Sequence, residues 1–126
     1  MSIDQVIEQF RPVFRAELPD RIARIHAGLN AHDATASLDG LQRAFREAHS
    51  LSGMAAYMDA PELTAAAETL SIVARELLAL GDAVASRPLT DAWRVYERLR
   101  RAAAAYLGVV AVGPDRPRTD ARSGGD

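Results

Sequence analysis

The sequence predicts an all-α protein, an antiparallel up-and-down bundle of four helices. Three observations carry that expectation. Apolar residues recur at three- and four-residue intervals through four successive stretches. No stretch alternates with period two for long enough to make a convincing strand; residues 109–112 are rich in valine but stand alone. Alanine, the best helix former, supplies 25 of the 126 residues.

The first helix opens at Ser2, which with Gln5 has the spacing of a capping box. Ile3, Val6, Ile7, Phe10 and Phe14 begin an apolar stripe that Leu18, Ile22, Ile25 and Leu29 continue to about Ala31. Pro12 and Pro19 interrupt it, and a proline inside a helix removes a hydrogen bond and clashes with the preceding turn. One bent helix or two shorter ones are therefore expected. A second helix over 37–57 carries Leu38, Leu41, Phe45, Ala48 and Leu51. Asp59 with Glu62 suggests another capping box, and Pro61 suits a first turn. Leu63, Ala67, Leu70, Val73, Ala74 and Leu77 then form the third stripe, with Gly81 as its stop. Pro88 opens the last helix, which turns Ala92, Val95, Tyr96, Leu99, Ala103, Tyr106 and Leu107 inward and closes at Gly108. From Gly113 onward the chain has almost nothing to bury. The expected organisation is a bundle over 1–108 and a disordered tail or linker over 109–126.

Composition excludes several function classes. The net charge is -2 with both signs interspersed, and all 15 basic residues are arginine. A nucleic-acid surface would need a clustered basic face, so no nucleic-acid partner is expected. Without cysteine there is no disulfide or thiolate chemistry. The N-terminus carries Asp4 and lacks an apolar core, unlike a secretory signal. The longest apolar run, 102–112, is too short to span a bilayer and contains a glycine. A soluble, cytoplasmic protein with no membrane partner is expected. His26 and His32 have no third ligand at metal spacing and read as surface residues, so no metal or cofactor is expected. Arg94, Arg98, Arg100 and Arg101 read as a solvated face of the last helix.

His49 is the chemically distinctive residue. Arg46 precedes it by one helical turn and Gly53 follows by one. Glycine costs about 1 kcal/mol relative to alanine inside a helix. A bare patch that lets a partner reach the imidazole would offset that cost. An ordinary imidazole is partly uncharged at neutral pH, and its free ring nitrogen is a nucleophile toward phosphorus. Arg46 would supply a fixed positive charge for a phosphoryl group. Gly53 and Ala56 would leave room for an incoming domain. His49 is therefore a candidate phosphoacceptor.

The segment Ala44-Phe45-Arg46-Glu47-Ala48-His49-Ser50-Leu51-Ser52-Gly53-Met54-Ala55 resembles the signature of histidine phosphotransfer (HPt) domains. It is most similar to the N-terminal phosphoacceptor domain of chemotaxis-type histidine kinases, whose motif runs roughly F-R-x-x-H-x-L-K-G-x-A. The likeness covers about residues 3–107, with flanking similarity at Phe14, Glu17, Ile22 and Leu29 and at Leu63 and 67–70. It implies a carrier in a bacterial two-component phosphorelay, with His49 exchanging a phosphoryl group with a kinase or a receiver aspartate. The docking surface it implies is the exposed face of the second helix with part of the third, around Arg46, Ser50, Ser52, Gly53 and Ala56. The partner would bring the metal and the acidic residues, so no independent catalytic site is expected, and the chain itself would be a monomer. Two positions depart from the family pattern. Ser52 stands where the family has lysine, and Ser71 stands where chemotaxis-type members have an orienting glutamate. Glu68, one turn earlier at the position of the family's further histidine, reads either as a substitute orienting partner or as a surface charge. These departures motivate an alternative class, a module that binds a receiver or kinase without carrying phosphate.

Overall fold

The computed structural model describes residues 1–85 and 88–116, residue 85 by its backbone alone. Four long helices account for most of it: α1 (Ile3–Thr35), α2 (Leu38–Tyr57), α3 (Pro61–Ala79) and α5 (Thr90–Leu107), with a single-turn α4 (Asp82–Ala85) between the last two. The protein is all-α, as expected. Helix α2 packs against α1 and α3, α3 against α5, and α5 against α1, which closes the ring. Side-chain pairs fix the directions. Arg11, near the start of α1, donates to the carbonyl of Met58 at the end of α2 (2.9 Å). At the other end of α1, Asp33 accepts from Trp93 Nε1 at the start of α5 (2.6 Å). Both neighbours of α1 therefore run antiparallel to it.

Local chemistry explains the helix ends. Ser2 and Gln5 form the expected reciprocal capping box. Ser37 caps α2 by accepting from the Asp39 N–H. Gly108 closes α5 in the left-handed conformation. The expected Asp59–Glu62 box does not form: Ala60 is the N-cap of α3, without a side-chain cap bond, and Asp59 takes a positive φ of 56°. Pro61 nevertheless occupies the first turn of α3.

Pro12 and Pro19 do not split α1, which runs unbroken for 33 residues. They lie seven residues apart, so they share one face, and both are exposed. The carbonyls of Glu8 and Arg15, which lose their helical donors, therefore turn toward water. The cost is offset by what grips the other side. Phe14, Leu18, Ile22, Ile25 and Leu29 are buried. Arg15 donates to the carbonyls of Tyr106 and Leu107, which the end of α5 leaves without helical partners. At 1.5 Å per residue α1 is about 50 Å long, against about 30 Å for α2. Its first two turns reach past the α2 end marked by Arg11. Ile3 and Phe10 are exposed there while Val6 and Ile7 are half-buried, so the start of the stripe is only partly core.

Helices α1 and α2 approach most closely at two glycines. A Cβ on Gly28 would stand 2.5 Å from the Gly40 carbonyl oxygen, and one on Gly40 would collide with the Gly28 carbonyl oxygen. Beside this crossing, His32 is buried at 1% exposure, contrary to its expected surface position. Neither of its ring nitrogens makes a hydrogen bond among the described residues, although Nδ1 lies 3.5 Å from Asp33 Oδ1. The core beyond it is built from Leu41, Leu51, Leu63, Leu70, Trp93, Tyr96 and Leu99, with alanines where helices draw near.

The segment following α5 differs from the expected loose tail as far as it is described. Residues 109–116 lie back across α5 and α1. Val112 is buried. Arg100 donates to the carbonyls of Val112 and Gly113 and pairs with Glu97 and Asp115. Tyr96 Oη donates to the Pro114 carbonyl (2.6 Å), and His26 Nε2 meets that of Asp115 (2.9 Å). Gly113 adopts φ 75°, and a Cβ there would strike Ile22 Cγ2. Arg100 is thus drawn from the expected solvated face, whereas Arg94, Arg98 and Arg101 are exposed. Residues 117–126, the remainder of the expected tail, lie outside the described residues.

Candidate functional site

His49 sits in the fourth turn of α2 with its side chain exposed. The buried residues Leu41, Ala44, Ala48, Leu51 and Ala55 define the inner face of that helix. At 100° per residue, Arg43, Arg46, His49, Ser50, Gly53 and Ala56 fall on the opposite face, and all six are exposed. The expected site residues of α2 are therefore brought to one surface, except Ser52, which is half-buried at its α3 edge.

Around His49 that surface is cationic, and the acid of the same face, Asp39, stands at the start of α2. Glu47, the nearest acid in sequence, is turned toward α1, where Arg21 (3.3 Å) and Arg24 (2.8 Å) hold it. Arg43 and Arg46 have no ion-pair partner among the described residues. Their charge is available to an approaching anion. Gly53 is equally open, since a Cβ there would meet nothing within 4 Å. Helix packing therefore does not require this glycine.

Two expected contributors stand elsewhere. Ser52 Oγ donates to the carbonyl oxygen of His49 (2.7 Å), so its hydroxyl is engaged with the backbone. Glu68 is exposed on α3 and makes no hydrogen bond to the His49 ring; its carbonyl accepts from the buried Ser71 hydroxyl (2.8 Å). Instead, the imidazole meets Phe45. The two rings are stacked, with centroids 5.9 Å apart and planes at 22°. The i, i+4 spacing was the available sequence signal for this contact, since such residues are neighbours on a helix.

Beside the His49 face lies an apolar groove of about 460 Å³. It runs between the overhanging start of α1 and the end of α2, lined by Ile3, Phe10, Val13, Met54 and Tyr57 among others. Tyr57 is one turn beyond Gly53, so groove and histidine belong to one continuous surface. This apolar extension lies on the α1 side of α2, whereas the sequence pointed to the α3 side.

Among the described residues no helix is long and apolar enough to cross a membrane, and no cluster of acidic and histidine side chains has metal-site geometry. Searches among curated proteins and among solved structures returned no match. The family comparison did: the model of the Hpt domain matches residues 9–106, which takes in His49, its flanking helices and nearly the whole bundle, and the chain belongs to the Hpt domain family.

Proposed function

We propose that this chain carries a phosphoryl group on His49 between a kinase or receiver domain and a receiver aspartate in a bacterial phosphorelay. Family membership supplies the coarse function, histidine phosphotransfer in two-component signalling. The observation that carries the assignment to His49 is its exposure on a cationic face with open space one turn away at Gly53.

The chemistry asks little of the carrier. A lone pair on the uncharged imidazole forms an N–P bond as the acyl-phosphate P–O bond of a phosphoaspartate breaks, and the electron pair leaves with the carboxylate. The reverse step regenerates the imidazole. The phosphoryl oxygens carry negative charge throughout, and Arg46 and Arg43 offset it from the same helix face. Receiver domains approach with acidic residues around their aspartate, and Glu47, the carboxylate nearest His49 in sequence, is held away by Arg21 and Arg24 and adds little repulsion. The apolar groove beside it offers a receiver helix a desolvated contact. The carrier acts as a monomer in the cytoplasm, where kinases and receivers meet.

The test is incubation of the chain with phosphorylated receivers and kinases, comparing wild type with His49→Gln. Acid-labile label on the wild type alone is expected. Partner binding that survives His49→Gln, with no label on either protein, would instead favour a binding module that carries no phosphate.

A further inference from the structure

The His49 ring has no hydrogen-bonding side chain among the described residues, yet a phosphoacceptor nitrogen must be presented in a reproducible direction. Ser52 Oγ is committed to the His49 carbonyl and Ser71 Oγ to the Glu68 carbonyl. Among the described residues the aromatic contact of the ring is with the side chain of Phe45. We propose that Phe45 is the positioning residue of His49, fixing the imidazole by stacking where relatives use a hydrogen bond. This inference rests on His49 being the phosphoacceptor.

The geometry favours the assignment in three ways. Phe45 is half-buried and packed against the core, so its ring is anchored and does not move with the histidine. Helical side chains lean toward the N-terminus, so a residue at 49 naturally lies over the turn that carries 45. The planes are 22° apart with centroids at 5.9 Å, an offset stack in which Phe45 flanks one face of the imidazole. The lone pair of the unprotonated ring nitrogen lies in the ring plane, and an aromatic neighbour on one face leaves it clear for in-line attack at phosphorus. A hydrogen bond to one nitrogen would orient the ring by occupying part of that plane. Stacking orients it without doing so, and without adding a carboxylate to the cationic face.

The experiment uses the full chain and phosphoramidate as the phosphodonor, which removes partner docking from the measurement. The ring nitrogen takes the phosphoryl group, the donor P–N bond breaks and ammonia leaves. Phe45→Leu retains apolar bulk but removes the aromatic face, and Phe45→Tyr retains the face. Labelling of Phe45→Leu should slow by about 3- to 10-fold while Phe45→Tyr stays within about 2-fold of wild type. The χ1 couplings of His49 by NMR should show one rotamer in wild type and Phe45→Tyr and averaging in Phe45→Leu, a change that a general loss of stability would not produce. Unchanged couplings in Phe45→Leu would overturn the proposal whatever the labelling rate. Absence of label on the wild type would sink the phosphoacceptor reading instead, while the couplings would still decide the role of Phe45.

Discussion

The hydroxyl of Ser52 donates a 2.7 Å hydrogen bond to the carbonyl oxygen of His49, one turn back along α2. At the position where the family places a cation, this chain has a side chain folded onto its own backbone. Ser52→Ala should therefore leave phosphoryl uptake by His49 unchanged. Ser52→Lys restores a charge beside the phosphoryl group and should raise uptake by about two- to five-fold, with the gain shrinking as salt is added. Initial rates of phosphoramidate labelling at two ionic strengths measure both effects. A large loss in Ser52→Ala would mean that the hydroxyl serves the phosphoryl group directly.

Three glycines on the first two helices should respond to alanine in opposite senses. Gly28 and Gly40 face each other's backbone, which cannot move aside as a flexible side chain could. Gly28→Ala or Gly40→Ala should cost about 2–4 kcal/mol in urea unfolding. Gly53 faces open space, so Gly53→Ala should gain up to about 1 kcal/mol. The same substitution should slow transfer to a receiver but not labelling by phosphoramidate, because only the larger partner needs the gap. Normal receiver transfer by Gly53→Ala would remove partner access as the reason for the glycine.

Tyr96 is buried against the segment over 109–116, and burial pushes its phenol above the ordinary tyrosine value. The unfolded chain releases that proton near the ordinary value of about pH 10, while the folded chain retains it. Above that pH the unfolded state holds fewer protons, so stability falls as pH rises; below it the contribution is complete. Tyr96→Phe loses the hydrogen bond to Pro114, costing about 1 kcal/mol at pH 8. It should then show a flatter decline than wild type through the tyrosinate range. Parallel declines for the two proteins in alkaline urea titrations would contradict this.

Features set by neighbours in sequence were legible before the fold was known. The Ser2–Gln5 box, the Gly108 stop and the four apolar stripes all depend on residues a turn or two apart. The common surface of Arg46, His49 and Gly53 was legible for the same reason. What escaped depends on distant partners. Pro12 and Pro19 looked disruptive because their shared solvent face is apparent only once α1 is packed. The 109–116 segment looked featureless because its hold comes from Arg100, Tyr96 and His26 acting on backbone carbonyls, which no side-chain pattern encodes. His32 looked like a surface residue because its burial depends on the close α1–α2 crossing. Glu68 followed from counting along α3 alone, which carries no information about its distance from α2.

The most direct test of the account is to phosphorylate the full chain with phosphoramidate and map the acid-labile label by mass spectrometry under alkaline handling. One phosphorylated residue is expected, His49, with no label on His49→Gln. Label on His26, or label that survives on His49→Gln, would contradict it.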